Sequence, residues 1–349
     1  MAGGDRAVER AWTIKEADRY VKVPDWSPAA DRTSFPELPG TPTIPPEPPV
    51  FESCFRRLSD DGKTVQRYDR MPYVYGGWDT VGQLLARVAD STIAPGGWDR
   101  TSGATTSAFY GVAGTRSPDG EKEEPGKVRA KEHLARYHLA GIDCSGFVSR
   151  CHRLRGKLST RELPGRYLDI DHRRLLPGDV LNRPGDHVVL FAGWTGGGYA
   201  GLTLYEALGG APAKPRRATL PRDTHGRVVR RDEEWSWFEA RGYRPLSPFP
   251  QLVSAGIEEY DGKRALKVVC AASGVPDVTE IRVGGVPQVF TGTPGMDLTT
   301  GTAAMTLECR TAPVDEGLLK PGVEVAVRMT NRTAGTVFED ESRVGPAGL

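Results

Sequence analysis

Gly141-Ile142-Asp143-Cys144-Ser145-Gly146-Phe147-Val148 is the stretch on which the reading of this chain turns. Asp143 and Ser145 are favoured helix N-cap residues, and Phe147, Val148 and Cys151 follow at helical spacing. The pattern predicts a helix that begins here, with Cys144 in its first turn. Free backbone N–H groups and the positive end of the helix dipole would then surround the sulfur, an environment in which a cysteine becomes a nucleophile. Gly146 lets another backbone or a substrate come close. The competing reading is a buried cysteine that only packs, and the residues downstream decide between the two.

Residues 153–173 are basic and irregular, and Leu176-Pro177-Gly178-Asp179-Val180-Leu181 then reads as a turn into a strand. Residues 182–186 form a hairpin turn. The apolar run His187-Val-Val-Leu-Phe-Ala-Gly-Trp194 is a strand, Gly196-Gly197-Gly198 a turn, and 202–208 a further strand. A helix followed by an antiparallel meander is an α+β pattern. Gly197, Gly198 and Gly201 do not follow a strand and open a helix, so a phosphate cradle is rejected.

A nucleophilic cysteine needs a base within hydrogen-bond reach and a polar group to hold that base. Of the six histidines, His133 and His138 lie on the helical segment before Cys144 and His152 on its own helix, which suits surface positions. His172 and His225 sit in charged, turn-rich sequence. His187 opens an apolar strand just after a turn, where a strand end can present a side chain to a neighbouring helix. Glu206 interrupts the apolar run Leu204-Tyr-Glu-Ala-Leu208. A carboxylate there wants a partner, and an imidazole on the next strand is a sensible one. An outward-facing Glu206 and a His187 without a role are the plain alternatives.

Pro72-Tyr73-Val-Tyr-Gly76-Gly77, Asp143-Cys144-Ser145-Gly146-Phe147-Val148 and Leu176-Pro-Gly-Asp179-Val with His187-Val-Val-Leu-Phe, in this order, resemble the NlpC/P60 family of papain-like cysteine peptidases. The resemblance covers roughly residues 65–248. It implies a papain-like core, with the Cys-bearing helix packed on an antiparallel sheet, and a hydrolase that cuts peptide stems of peptidoglycan. It also implies Cys144 as nucleophile, His187 as base and Glu206 as the third polar residue, where the family more often has His or an amide. Tyr73, Asp143 and Ser145 match positions that line the substrate site and help to hold a free amino end. No metal or cofactor is implied. Rival readings keep the fold but act as an acyltransferase or as a toxin on non-wall substrates, or reduce the chain to a non-catalytic wall-binding module.

Around this core, residues 1–64 read as an N-terminal arm, with a helical pattern at Val8, Trp12, Ile14, Ala17 and Tyr20 and then Pro-rich sequence that excludes regular helix. Residues 80–89 are amphipathic, and about 90–130 form an insertion. The peptidase-like domain spans 65–248, and 249–349 predicts a small all-β, sandwich-like domain. There Cys270 and Cys309 suit a disulfide between two strands, Cys54 with Cys151 a weaker pairing, and five reduced cysteines the alternative.

With 349 residues, 38% hydrophobic and a formal net charge of +1, the chain has material for about two domains and no electrostatic argument for nucleic acid. No run approaches the roughly 18 apolar residues of a membrane span. The substrate class places the protein in a secreted, periplasmic or wall-associated setting. Met1-Ala2-Gly3-Gly4-Asp5 has no basic-then-apolar signal layout, which leaves the cytoplasm open.

Overall fold

The computed structural model describes residues 7–27, 68–73, 77–89, 94–95, 139–208, 227–260, 262–297, 304–315, 318, 323–333 and 336–344. The insertion at about 90–130, most of the Pro-rich arm, Cys54, His133, His138 and His225 lie outside these residues or almost wholly so.

The chain opens with strand β1 (Val8–Glu9) and helix α1 (Arg10–Val21). Next come α2 (Val81–Val88), the parallel pair β2 (Ala94–Pro95) and β3 (Leu139–Ala140), and α3 (Cys144–Cys151). Then follow β4 (Leu168–Asp169), β5 (Val180–Arg183), β6 (His187–Thr195), β7 (Gly201–Leu208), β8 (Arg227–Glu234), helix α4 (Trp235–Glu239) and β9 (Arg244–Ser247). These strands form a six-stranded sheet in the order β4-β9-β5-β6-β7-β8. Alternation along β6 and β7 divides its two faces. Val188, Leu190, Tyr205 and Ala207 share a core with Phe147 and Val148 of α3. Val189, Phe191, Leu202 and Leu204 pack instead with Phe238 of α4 and Tyr243.

The remaining strands are β10 (Gln251–Tyr260), β11 (Lys263–Ala272), β12 (Val275–Val283), β13 (Val286–Pro287), β14 (Phe290–Asp297), β15 (Ala304–Thr311), β16 (Val325–Thr333) and β17 (Thr336–Val344). They make a four-stranded sheet, β10-β11-β15-β14, and a five-stranded one, β1-β17-β16-β12-β13. Leu266, Val268 and Cys270 from the first sheet share one core with Ile281, Val283, Val325, Val327 and Met329 from the second.

This architecture corrects the expected fold class. Among the described residues the protein is mostly β, with 51% strand against 19% helix and four helices, distributed over several sheets. It is therefore not an α+β, papain-like helix-on-sheet core with a separate sandwich-like domain attached. The helix periodicity around Cys144 drew attention out of proportion to its length, since α3 ends at Cys151 after 8 residues. The C-terminal strands are also not set apart. Val8 pairs with Phe338 in a parallel ladder. Arg10 reaches both Asp179 and Asp340 at 2.8 Å and lies over the Phe249 ring. Thr336 donates to the Arg153 carbonyl, Thr333 to that of Arg166, and Asn331 to that of Pro248.

The expected Cys270–Cys309 disulfide is likewise corrected, because among the described residues no cysteines approach to disulfide distance. Cys270 stands opposite Leu307 and Cys309 opposite Val268, a two-residue offset on adjacent antiparallel strands. Diagonal partners of this kind lie about 7–8 Å apart, too far for a disulfide bridge. Both are free and buried. Burial first, and then the neighbouring Cys309, push the Cys270 thiol up to about 12. Cys309 rises to about 11 through burial and nearby acids. Cys151 is also a buried free thiol. Among the described residues no helix is long and apolar enough to cross a membrane.

His152, expected at the surface, is fully buried instead. Its Nε2 lies 2.8 Å from the Gly178 carbonyl and its Nδ1 2.7 Å from the Tyr167 hydroxyl. A carbonyl only accepts, so Nε2–H donates to it and Nδ1 accepts from the tyrosine. Burial lowers its pKa to about 4 from 6.5. A folded-state pKa below the unfolded value means that the native state takes up the proton less readily. The associated stability is thus complete above pH 6.5 and is lost as the pH falls through 4, a change of about 3 kcal/mol. Denaturant unfolding of wild type should show this acid slope, and His152→Gln should flatten it between pH 6.5 and 4.

Candidate active site

Cys144 is the first residue of α3, and Asp143 caps that helix. Asp143 Oδ1 accepts from the Gly146 N–H at 2.6 Å and from the Ser145 hydroxyl at 3.2 Å. Oδ2 takes a hydrogen bond from the buried Lys157 ammonium. Pro72, Gly77 and Asp79 brace the start of the helix. The Ile142 N–H donates to the Pro72 carbonyl, the Asp143 N–H to the Gly77 carbonyl, and the Gly141 N–H to the Asp79 carboxylate. The Gly77 carbonyl lies so close that a Cβ on Gly146 would stand 2.2 Å from it. Glycine at position 146 is what lets this strap cross the first turn. Tyr20 of α1 meets Phe147 edge-on at 5.5 Å on the other side.

The second element is the β5–β6 hairpin, where Arg183 pairs with His187 across Pro184-Gly185-Asp186. This turn sets His187 at the first position of β6. Its Nε2 stands 2.7 Å from Glu206 Oε1 on β7. Glu206 in turn takes Arg231 Nε from β8 at 2.6 Å through its other oxygen, and Arg231 Nη1 continues to Glu233 at 2.9 Å. The register explains this alignment. Leu204 opposes Arg231 and Glu206 opposes Val229. Alternation then places Glu206, Arg231 and Glu233 on one face of the sheet.

Cys144, His187 and Glu206 are 7%, 2% and 1% exposed, so their interactions act in a low-dielectric setting. Burial alone would lower the His187 pKa. The negative charge and hydrogen bonding of Cys144 overcome it, with Glu206 adding to the effect, and hold the imidazole up at about 9. Burial would raise Glu206, but Arg231 and then His187 hold its carboxyl well below the usual range. His187 Nε2 is committed to Glu206, and Nδ1 has no regular hydrogen bond among the described residues. By elimination, Nδ1 is the ring nitrogen left for the thiol.

The three residues chosen for catalysis therefore come together from one helix and two strands. The three chosen for substrate are placed differently. Asp143 and Ser145 are bonded to each other within the cap, and Tyr73 is buried beside Ile142, with which its backbone forms a parallel bridge. Two residues were not singled out from the sequence: Lys157, which occupies Asp143, and Arg231, which occupies Glu206. Arg231 lies in the charged run Arg230-Arg231-Asp232-Glu233-Glu234, and only the register with β7 picks it out. Lys157 lies in irregular basic sequence, without a signal of its own.

No protein-family model, curated protein or solved structure matches this chain. The site therefore has to be understood from its own chemistry. A thiol at a helix start, an imidazole and a buried carboxylate in series can form a nucleophile, move a proton and hold the base in one orientation. The Gly146 N–H is taken by the cap, whereas the Cys144 N–H at the first position of α3 has no intrahelical acceptor and is suited to an oxyanion. No group of three or more His, Cys, Asp or Glu suited to a metal ion occurs among the described residues.

Proposed function

We propose that this chain is a cysteine hydrolase of amide bonds, with Cys144 as nucleophile, His187 as general base and acid, and Glu206 as the residue that orients the imidazole. The reading is carried by the His187–Glu206 contact of 2.7 Å beside the helix start that bears Cys144, which leaves Nδ1 as the ring nitrogen for the sulfur. Sulfur attacks the carbonyl carbon, the C–N bond breaks, and the His187 proton goes to the departing amine. His187 then takes a proton from water, whose oxygen attacks the thioester and restores the thiol. The tetrahedral oxyanion is met by the Cys144 N–H at the start of α3 and a nearby donor.

The sequence likeness to NlpC/P60 peptidases supports peptide stems of peptidoglycan as the substrate, and with it a secreted, periplasmic or wall-associated site of action. Incubating purified peptidoglycan with the protein and identifying the fragments by mass spectrometry tests both parts. The expected result is new amine and carboxyl ends within the stems, together with alkylation of Cys144 by iodoacetamide well ahead of Cys151, Cys270 and Cys309. A lipid acyl adduct on Cys144 without stem cleavage would replace hydrolysis by acyl transfer. A Cys144 no more reactive than an ordinary exposed thiol, with the wall intact, would end the proposal.

A further inference from the structure

Building on the hydrolase reading, we infer that Arg231 is a positioning residue of this site, keeping Glu206 ionised and in one rotamer so that Glu206 can hold His187. Arg231 is 7% exposed through its side chain, and its Nε lies 2.6 Å from Glu206 Oε2. The oxygen it takes is the one His187 does not use. Its Nη1 is anchored 2.9 Å from Glu233, which forms part of the wall of an open cleft of about 800 Å³. The guanidinium thus spans from a wet carboxylate to a dry one. A planar fork can do this with fixed geometry, whereas a lysine ammonium is a single point charge.

Glu206 at 1% exposure would otherwise favour the protonated form, because burial penalises its charge. The charged groups around it are His187 from β6 and Arg231 from β8, with Glu233 behind the arginine and Cys144 of α3 behind the imidazole. Arg231 is the permanent cation among them. When it is removed, Glu206 accepts a proton at higher pH, and His187 loses an anionic partner and with it part of what keeps the imidazole charged and in place.

Two measurements on the full chain separate this inference from the reading beneath it. The first is the rate of Cys144 alkylation by iodoacetamide against pH for wild type, Arg231→Met and Arg231→Lys. Arg231→Met should move the acid limb upward by about one pH unit or more, and Arg231→Lys should restore part of the shift. Lower stability with the limb unmoved would overturn the inference, since a purely packing role has that effect. The second is the carbon-13 chemical shift titration of the Glu206 carboxyl in a Cys144→Ser background, which needs no activity. Arg231→Met should raise that titration, and an unchanged one would overturn the inference even if the hydrolase reading had failed.

Discussion

With Cys144 replaced by alanine, amide hydrolysis falls by about 10³-fold or more while the protein stays folded. The loss is large because the covalent intermediate cannot form, and what remains is orientation and oxyanion stabilisation alone. The fold tolerates the change because the start of the helix is held by contacts other than the sulfur. Cys144 is 7% exposed, the helix is capped by the Asp143 carboxylate, and its first turn is held by Gly77. Removing one buried sulfur costs about 1 kcal/mol. Activity on isolated stem peptides and a thermal melt of the same preparation check both halves. Wild-type turnover in the Cys144→Ala protein would remove the nucleophile from the proposal, whatever the melt shows.

Replacing Glu206 by alanine should cost stability as well as rate. It leaves Arg231 facing a void and removes the acceptor 2.7 Å from His187. Breaking a buried charge network from one side typically costs about 3–5 kcal/mol, and an unheld base lowers kcat by roughly 10²-fold. Glu206→Gln separates the two effects, because its carbonyl can still accept from His187 while Arg231 loses the buried one of its two counter-charges. The pH dependence has a definite sign. His187 is raised in the folded state to about 9 from 6.5, so its contribution is complete below 6.5 and is lost as the pH climbs through 9. Glu206 is lowered from 4.5, so its contribution is complete above 4.5 and is lost as the pH falls toward the depressed value. The gap in unfolding free energy between wild type and Glu206→Gln should therefore be widest between about pH 4.5 and 6.5. A gap that does not change from pH 4 to pH 9 would contradict the network.

The site was more legible in the sequence than the fold that holds it. Cys144, His187 and Glu206 each break a local pattern. One follows a capping aspartate, one opens an apolar strand, and one interrupts another apolar run. Polar residues in apolar settings need partners, and that rule is local enough to be read from a line of text. Arg231 lies in Arg230-Arg231-Asp232-Glu233-Glu234, where a buried charge cannot be told from a solvated face until the register with β7 is known. His152 shows the same limit from the other side, since its burial comes from Phe249 and Phe338, rings that lie about 100 and 190 positions downstream. The fold class failed for a related reason. The strands after residue 250 are legible as strands and read as a separate small domain, whereas their sheet takes an edge from Val8 and Glu9, which no local pattern shows.

That distant edge has a bearing on how the polypeptide is made. The ion pair from Arg10 to Asp340 closes a loop of 330 positions, and the ladder between β1 and β17 closes with it. A ribosome releases the first strand long before its partner exists, so the amino-terminal segment must wait, unpaired, until nearly all of residues 1–344 have emerged. Contacts closed over such separations form slowly, and waiting strand edges invite association with other chains. Closure of this sheet should thus come late in folding, as the capture of Val8 and Glu9 by a strand made more than 300 residues after them.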